Sequence, residues 1–260
     1  MAQEVICRRT GGIVTLVINQ PEEQNMLSDE VLTQLHSHLL GLGRDHATRV
    51  LIITGAGMGF FCGGIFNPGL KAKLSPEQVR LRRRLAIELF ERIEALIHPV
   101  IGAINGRAQA GGFEMALACD IRIAASHATF SLPESSWGGF PGAGGPLRLS
   151  RLVGMGKAME IIMTGRDVTA DEALRIGLVE QVVPSGDFES EIYQFADRIA
   201  TTSPLGNRAV KKIIRACPEM SGRVTQVLSD ALRELVGSSE DACEGIAAHL
   251  EGRPPKYKGK

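Results

Sequence analysis

The chain has 260 residues, 44% of them hydrophobic, and 29 Lys plus Arg balance 29 Asp plus Glu, leaving no formal net charge at pH 7. That length bounds it to one large domain, or a domain with a small appendage, able to bury a core of its own. Balanced charge provides no global basic field for nucleic acid or anionic membranes, and no apolar run reaches the ~20 residues that a membrane-spanning helix needs.

Segment 1–9 has no apolar h-region, so secretion is not expected. The five cysteines, Cys7, Cys62, Cys119, Cys217 and Cys243, are scattered, odd in number and without CxxC spacing. Disulfides and a zinc site are both poor readings, and a reduced, cytoplasmic setting is expected.

In chain order, Ile13-Val14-Thr15-Leu16-Val17-Ile18 is a β-branched run that predicts a strand. Ser28 predicts an N-cap for a helix over 29–42, with Leu32, Leu35 and Leu39 on one face. Val50-Leu51-Ile52-Ile53-Thr54 predicts the next strand, and the β-α-β order a parallel pair with a right-handed crossover. The glycine-rich stretch 55–64 predicts a loop with exposed backbone. Cys62 lies in it, the one cysteine whose setting suggests more than a small buried hydrophobe.

Ser75-Pro76-Glu77 predicts a helix start, with the helix running to about 97. Its Arg80, Arg82, Arg83 and Arg84 read either as a solvated face or as a phosphate clamp. Strands follow at 100–104, 121–124 and 128–131, and Gly106 to Glu114 opens an apolar helix through Met115 to Cys119. Strand–helix units continue to about Pro184, and from Ser190 the pattern is helical only. A core over 1–189 and a helical region over 190–260 are expected, the latter packing on its own sheet or sealing a subunit contact. The tail Arg253-Pro254-Pro255-Lys256-Tyr257-Lys258 is too polar and proline-rich for core structure.

Several familiar sites are absent. Gly154-Met155-Gly156-Lys157 lacks Walker A spacing, Phe60 stands where a dinucleotide fingerprint needs its third glycine, and no GxSxG occurs. His36 and His38 lie two apart and do not share a helix face, and His98 precedes Pro99 as a helix-ending residue.

Two carboxylates remain. Glu114 is set among Phe113, Met115, Ala116 and Leu117, where an unpartnered acid is expensive to bury, although it would also complement a helix N-terminus. Glu134 follows Pro133 and reads either as a turn residue or as a second functional acid. Each adjoins a glycine-rich loop, Ala110-Gly111-Gly112 or Pro141-Gly142-Ala143-Gly144-Gly145. Two acids beside accessible amides are what proton transfer next to a carbonyl requires.

At these residues the chain resembles the enoyl-CoA hydratase/isomerase (crotonase) superfamily over nearly its whole length. Pro21-Glu22-Glu23-Gln24-Asn25-Met26-Leu27-Ser28 is similar to the N-terminal signature, Phe61-Cys62-Gly63-Gly64-Ile65 to the first oxyanion loop, and Asn105-Gly106 through Ala110-Gly111-Gly112-Phe113-Glu114 to the second. Pro133-Glu134 with Pro141 to Gly145 keeps the family's spacing, and Glu240-Asp241, Glu244-Gly245 and Tyr257 resemble its tail.

The resemblance implies an α/β fold, a spiral of ββα turns with C-terminal helices used in trimerisation, as a homotrimer or a dimer of trimers. It implies an acyl-CoA thioester substrate, no nucleic-acid or membrane partner, and no metal or redox cofactor, coenzyme A being part of the substrate. The N–H groups of Ile65 and Gly111 would cradle the thioester oxygen. Met26 and Leu27 would receive coenzyme A, with Gly64, Phe66, Gly112, Trp137 and Gly142 also at the substrate. Glu114 would deprotonate water and Glu134 exchange a proton at the α-carbon.

Reversible syn hydration of a 2-enoyl-CoA is the activity implied. Alternatives are a Δ3–Δ2 enoyl-CoA isomerase, another acyl-CoA lyase or hydrolase, and a non-catalytic CoA-binding scaffold. The chain departs from the pattern at Phe66, where hydratases usually carry Asp, at Ala110 in place of a glycine, and over Ser135-Ser136-Trp137-Gly138-Gly139-Phe140. Phe66, Phe113, Trp137 and Phe140 either select an unusual acyl group or only repack the wall.

Overall fold

After an opening hairpin in a large sheet, three successive turns of chain each send one strand to that sheet and one to a small sheet before a helix carries the chain onward. The computed structural model describes residues 3–260, so the first two residues of the 1–9 segment lie outside it. Strands β1 (Val5–Thr10) and β2 (Ile13–Ile18) form an antiparallel hairpin turned at Gly11, whose φ of +58° suits glycine. Helix α1 (Asp29–Leu42) follows. The next turn is β3 (Val50–Gly55), β4 (Phe60–Cys62), α2 (Pro68–Lys71) and α3 (Pro76–Ala95).

The same unit recurs as β5 (Val100–Ile104), β6 (Arg107–Gln109) and α4 (Gly111–Ala118), then as β7 (Ile121–Ala125) and β8 (Thr129–Ser131) with α5 (Gly145–Val153) and α6 (Met155–Thr164). β9 (Val168–Thr169), α7 (Ala170–Arg175) and β10 (Gln181–Val183) complete the sheets. The large sheet runs β1-β2-β3-β5-β7-β10, and the small one β4-β6-β8-β9. From β2 onward the large sheet is parallel, which explains the unbroken apolar runs: helices or the second sheet cover both faces of β2, β3 and β5.

Local chemistry agrees with this architecture. Ser28 Oγ accepts the Val31 N–H and starts α1, whose Leu32, Leu35 and Leu39 are buried. Ser75 and Gln78 form a reciprocal capping box at the start of α3, with Pro76 in its first turn. α3 ends at Ala95, two residues short of expectation.

The stretch 55–64 is not simply an exposed loop. It contains β4, with Phe61 and Cys62 fully buried. Asn105 Nδ2 donates to the Gly55 and Gly57 carbonyls at 2.9 and 2.6 Å, and Asn25 Nδ2 to Ala56 and Phe60 at 3.0 and 2.7 Å, tying its ends down. Burial pushes the Cys62 thiol up to about 12, so it is an inert core residue. The Arg80–Arg84 stretch is not a uniformly solvated face either: Arg82 is mostly buried and paired to Asp29 at 2.7 Å.

Beyond β10 the chain is helical: α8 (Phe188–Ala200), α9 (Pro204–Ala216), α10 (Gly222–Gly237) and α11 (Glu240–Glu251). Val227, Leu235, Ile246 and Leu250 stand exposed on α10 and α11. The polar tail is strapped back, the buried Asp241 carboxylate accepting the Lys258 and Gly259 N–H groups at 2.6 and 2.8 Å. Among the described residues no helix is long and apolar enough to cross a membrane.

Candidate active site

The turn between β6 and α4 builds one half of the site. Ala110 adopts φ 51°, ψ −128°, a conformation natural to glycine that costs an alanine roughly 1–3 kcal/mol. Its N–H is pinned to the Ser131 carbonyl at 2.9 Å, so the small sheet holds the strained residue in place. Gly111 follows as the first residue of α4, where the amide has no intrahelical acceptor.

Gly64, at φ +102°, packs against this turn from the other side. A methyl on Gly64 would lie 2.9 Å from Gly111 N, and a methyl on Gly111 would lie 3.1 Å from Ile65 N. The two amides therefore face a common space. Among the described residues neither donates a hydrogen bond to a backbone acceptor outside the helices and strands, nor to a side chain.

One turn into α4, Glu114 is 2% exposed. Its Oε1 accepts the N–H groups of Ala143 at 2.8 Å and Gly145 at 2.9 Å. Burial raises its affinity for a proton, while those two amides and the charges of Arg148 and Arg83 oppose the rise. Glu134 lies in a short 3-10 helix over Pro133–Trp137, and its Oε2 is buried with no hydrogen-bond partner among the described residues. Burial first, with the Glu114 charge adding to it against its own backbone N–H, pushes the Glu134 carboxyl up to about 7. Such an acid is poised to hold or release a proton near neutrality.

Glu114, Glu134, Ile65 and Gly111 line a single cavity of about 210 Å³, walled by Phe66, Trp137 and Phe140. Larger hollows lie elsewhere. The one of about 520 Å³ beside α9 is edged by charges that satisfy one another, Lys211 with Asp120 at 2.7 Å and Arg215 with Glu94 at 2.7 Å.

Other expected residues divide. Gly142 lines the cavity and Gly64 shapes it. Phe113 does not line it: one position from Glu114 on the helix, it points into the core, fully buried with its ring 5.3 Å from that of Phe130. Gly112 is a packing residue, since a methyl there would meet the Cys62 carbonyl at 2.1 Å. Met26 borders an adjoining hollow with Gln24 and Asn67, and Asn67 belongs to both. Leu27 is fully buried with its N–H engaged by the Gly64 carbonyl at 2.8 Å, so that group is not available to a ligand.

The sequence reading missed Arg148. Its Nη1 donates to the Ala143 carbonyl at 2.6 Å and its Nη2 to Glu94 at 2.6 Å, while Arg215 of α9 holds the other oxygen of Glu94 at 2.7 Å. The guanidinium thus braces the loop whose amides grip Glu114. Its only sequence signal is an arginine one helical turn past Gly144, a glycine at φ +96° where a methyl would meet Nη1 at 2.2 Å. Arg148→Met is expected to lower turnover about tenfold and to move the acid limb of the pH profile upward, because Glu114 loses a charge that favours its ionised form. A pH–rate profile of the variant checks this; an unmoved acid limb would leave Arg148 a purely structural residue.

Known proteins resemble this chain over nearly its whole length. The family described as "Enoyl-CoA hydratase/isomerase" matches residues 8–260. The 2,3-dehydroadipyl-CoA hydratase of Escherichia coli (strain K12) is 34% identical over 257 residues, covering 99% of this chain and 99% of that protein. The crotonyl-CoA hydratase of Syntrophomonas wolfei is 36% identical over 259 residues, again covering 99% of each. A solved enoyl-CoA hydratase from Bacillus anthracis superposes with a TM-score of 0.97 at 38% identity, covering 99% of this chain and 100% of that one.

Proposed function

This chain belongs to the enoyl-CoA hydratase/isomerase family, and on that premise we propose that it is an enoyl-CoA hydratase, adding water reversibly and syn across the double bond of a 2-enoyl-CoA thioester. Its fold is the crotonase spiral, and it acts as a hydro-lyase on acyl-CoA. The observation that carries hydration in particular is the pair of carboxylates, Glu114 and Glu134, in one cavity with the free amides of Ile65 and Gly111.

The thioester oxygen accepts the N–H groups of Ile65 and Gly111, and negative charge collects there as the β-carbon is attacked. Ionised Glu114, fixed by Ala143 and Gly145, takes a proton from water as the new C–O bond forms. Protonated Glu134 delivers its proton to the α-carbon, completing addition of one water, and the proton gained by Glu114 returns to Glu134 before the next turnover. Dehydration runs the same steps backward. Coenzyme A enters as part of the substrate beside the Met26 hollow, and the apolar faces of α10 and α11 support a homotrimer or a dimer of trimers built through 190–260.

Loss of the conjugated thioester absorbance of crotonyl-CoA tests this directly. Conversion of a 3-enoyl-CoA without any hydration would make the protein an isomerase instead. Hydration needs Glu134 protonated and dehydration needs the same single proton on Glu114, so kcat/KM in both directions is expected to fall together as pH rises through about 7 and the pair loses that proton. pH profiles measured in both directions check it, and a kcat/KM that does not fall through this range would contradict the requirement for a protonated Glu134.

A further inference from the structure

Arg83 lines the same cavity as the two carboxylates, yet among the described residues it has no ion pair and no hydrogen bond from its side chain. Its neighbours are different: Arg82 is held by Asp29 at 2.7 Å, Arg84 lies 3.7 Å from Glu88, and Arg148 is held by Glu94 at 2.6 Å. The Arg83 side chain runs beside the loop after Glu134, its Cδ 3.9 Å from where a methyl on Gly142 would stand, next to Phe140. Its charge is felt at Glu114, but the bonded oxygen of Glu114 is taken by the Ala143 and Gly145 amides, and neither carboxylate of the site is bonded to the guanidinium.

Arg83 is exposed, so its planar fork of N–H donors stands at the open rim of the cavity without a protein partner among the described residues, beside the apolar side chains of Phe66, Trp137 and Phe140. A hydrocarbon tail ending there would gain nothing from the guanidinium. A carboxylate at the same place would accept two charge-assisted hydrogen bonds. The cavity, about 210 Å³, is smaller than the pockets that hold drug-sized ligands and suits a short acyl group.

Resting on the hydratase activity proposed above, we propose that the substrates are short enoyl-CoA thioesters whose acyl chain ends in a carboxylate, and that Arg83 is the residue that binds this carboxylate. The other lining cation, Lys71, is on α2 just after Asn67, which also borders the Met26 hollow, and so belongs to the coenzyme A side.

The test compares two substrates of equal length, trans-2-hexenedioyl-CoA and trans-2-hexenoyl-CoA. The protein is expected to prefer the first by at least about tenfold in kcat/KM, and Arg83→Met to reduce that ratio at least about tenfold, with Arg83→Lys retaining part of it. Equal losses on both substrates would show Arg83 serving a coenzyme A phosphate or Glu114, and an intrinsic preference for the methyl-ended chain would also overturn the proposal. Calorimetry with saturated adipoyl-CoA and hexanoyl-CoA separates this from the chemistry. Arg83-dependent discrimination in binding without turnover of any enoyl-CoA would sustain the carboxylate site and refute hydration. Hydration of both chains without discrimination would do the reverse.

Discussion

Glu134→Gln is expected to lower kcat for crotonyl-CoA hydration by about 10²–10⁴-fold, and Glu114→Gln by a similar factor. The substitutions are isosteric and leave hydrogen-bond geometry largely in place. At 114 the amide oxygen can still accept Ala143 and Gly145, so the loop keeps its grip, but the remaining NH₂ cannot take a proton from water. At 134 the amide can donate a hydrogen bond but cannot transfer a proton to carbon. Stability should move the other way. The folded Glu134 carboxyl titrates near 7, above its ordinary 4.5, so its contribution is fully present below pH 4.5 and lost as pH rises through 7. Glutamine has no such loss, and Glu134→Gln should gain Tm relative to the parent at pH 8 more than at pH 5. Activity within tenfold of the parent in either variant would remove that carboxylate from the chemistry.

The parts of this molecule legible in the sequence are those that local chemistry determines. Helix α1 was readable because Ser28 and the Leu32-Leu35-Leu39 stripe agree, and β2, β3 and β5 because continuous β-branched runs are what a sheet covered on both faces demands. Glu114 was readable as a carboxylate stranded among apolar residues. Strand β4 was not: three residues between glycines acquire their pairing from β6, on the far side of α3. β1 was hidden by Arg8 and Arg9, which an exposed edge strand tolerates. Phe113 was misread for want of a helix phase, since one residue of rotation separates the cavity from the core. Arg148 was invisible because its partners, Ala143 and Glu94, lie on a loop and on a helix 54 residues away.

Those same tertiary contacts make the paired glycines of α4 behave oppositely. Gly111→Ala is expected to lower kcat by about 10²–10³-fold, the cost seen when an oxyanion donor is lost. The new methyl would stand 2.5 Å from Ile65 Cγ1 and 3.1 Å from Ile65 N. The first contact is with a side chain at the cavity edge that can move, so the protein should still fold. The second forces apart the two amides whose convergence the site depends on, and a displacement of a few tenths of an ångström is enough to spoil hydrogen bonds to a developing oxyanion. Gly112→Ala instead drives a methyl to 2.1 Å from the Cys62 carbonyl, backbone against backbone, where nothing can rotate away. That variant should lose cooperative folding or several degrees of Tm before any specific loss of turnover. Thermal melts beside steady-state kinetics distinguish the two. Gly111→Ala with unimpaired kcat would mean that the space between Ile65 and Gly111 does not hold the thioester oxygen.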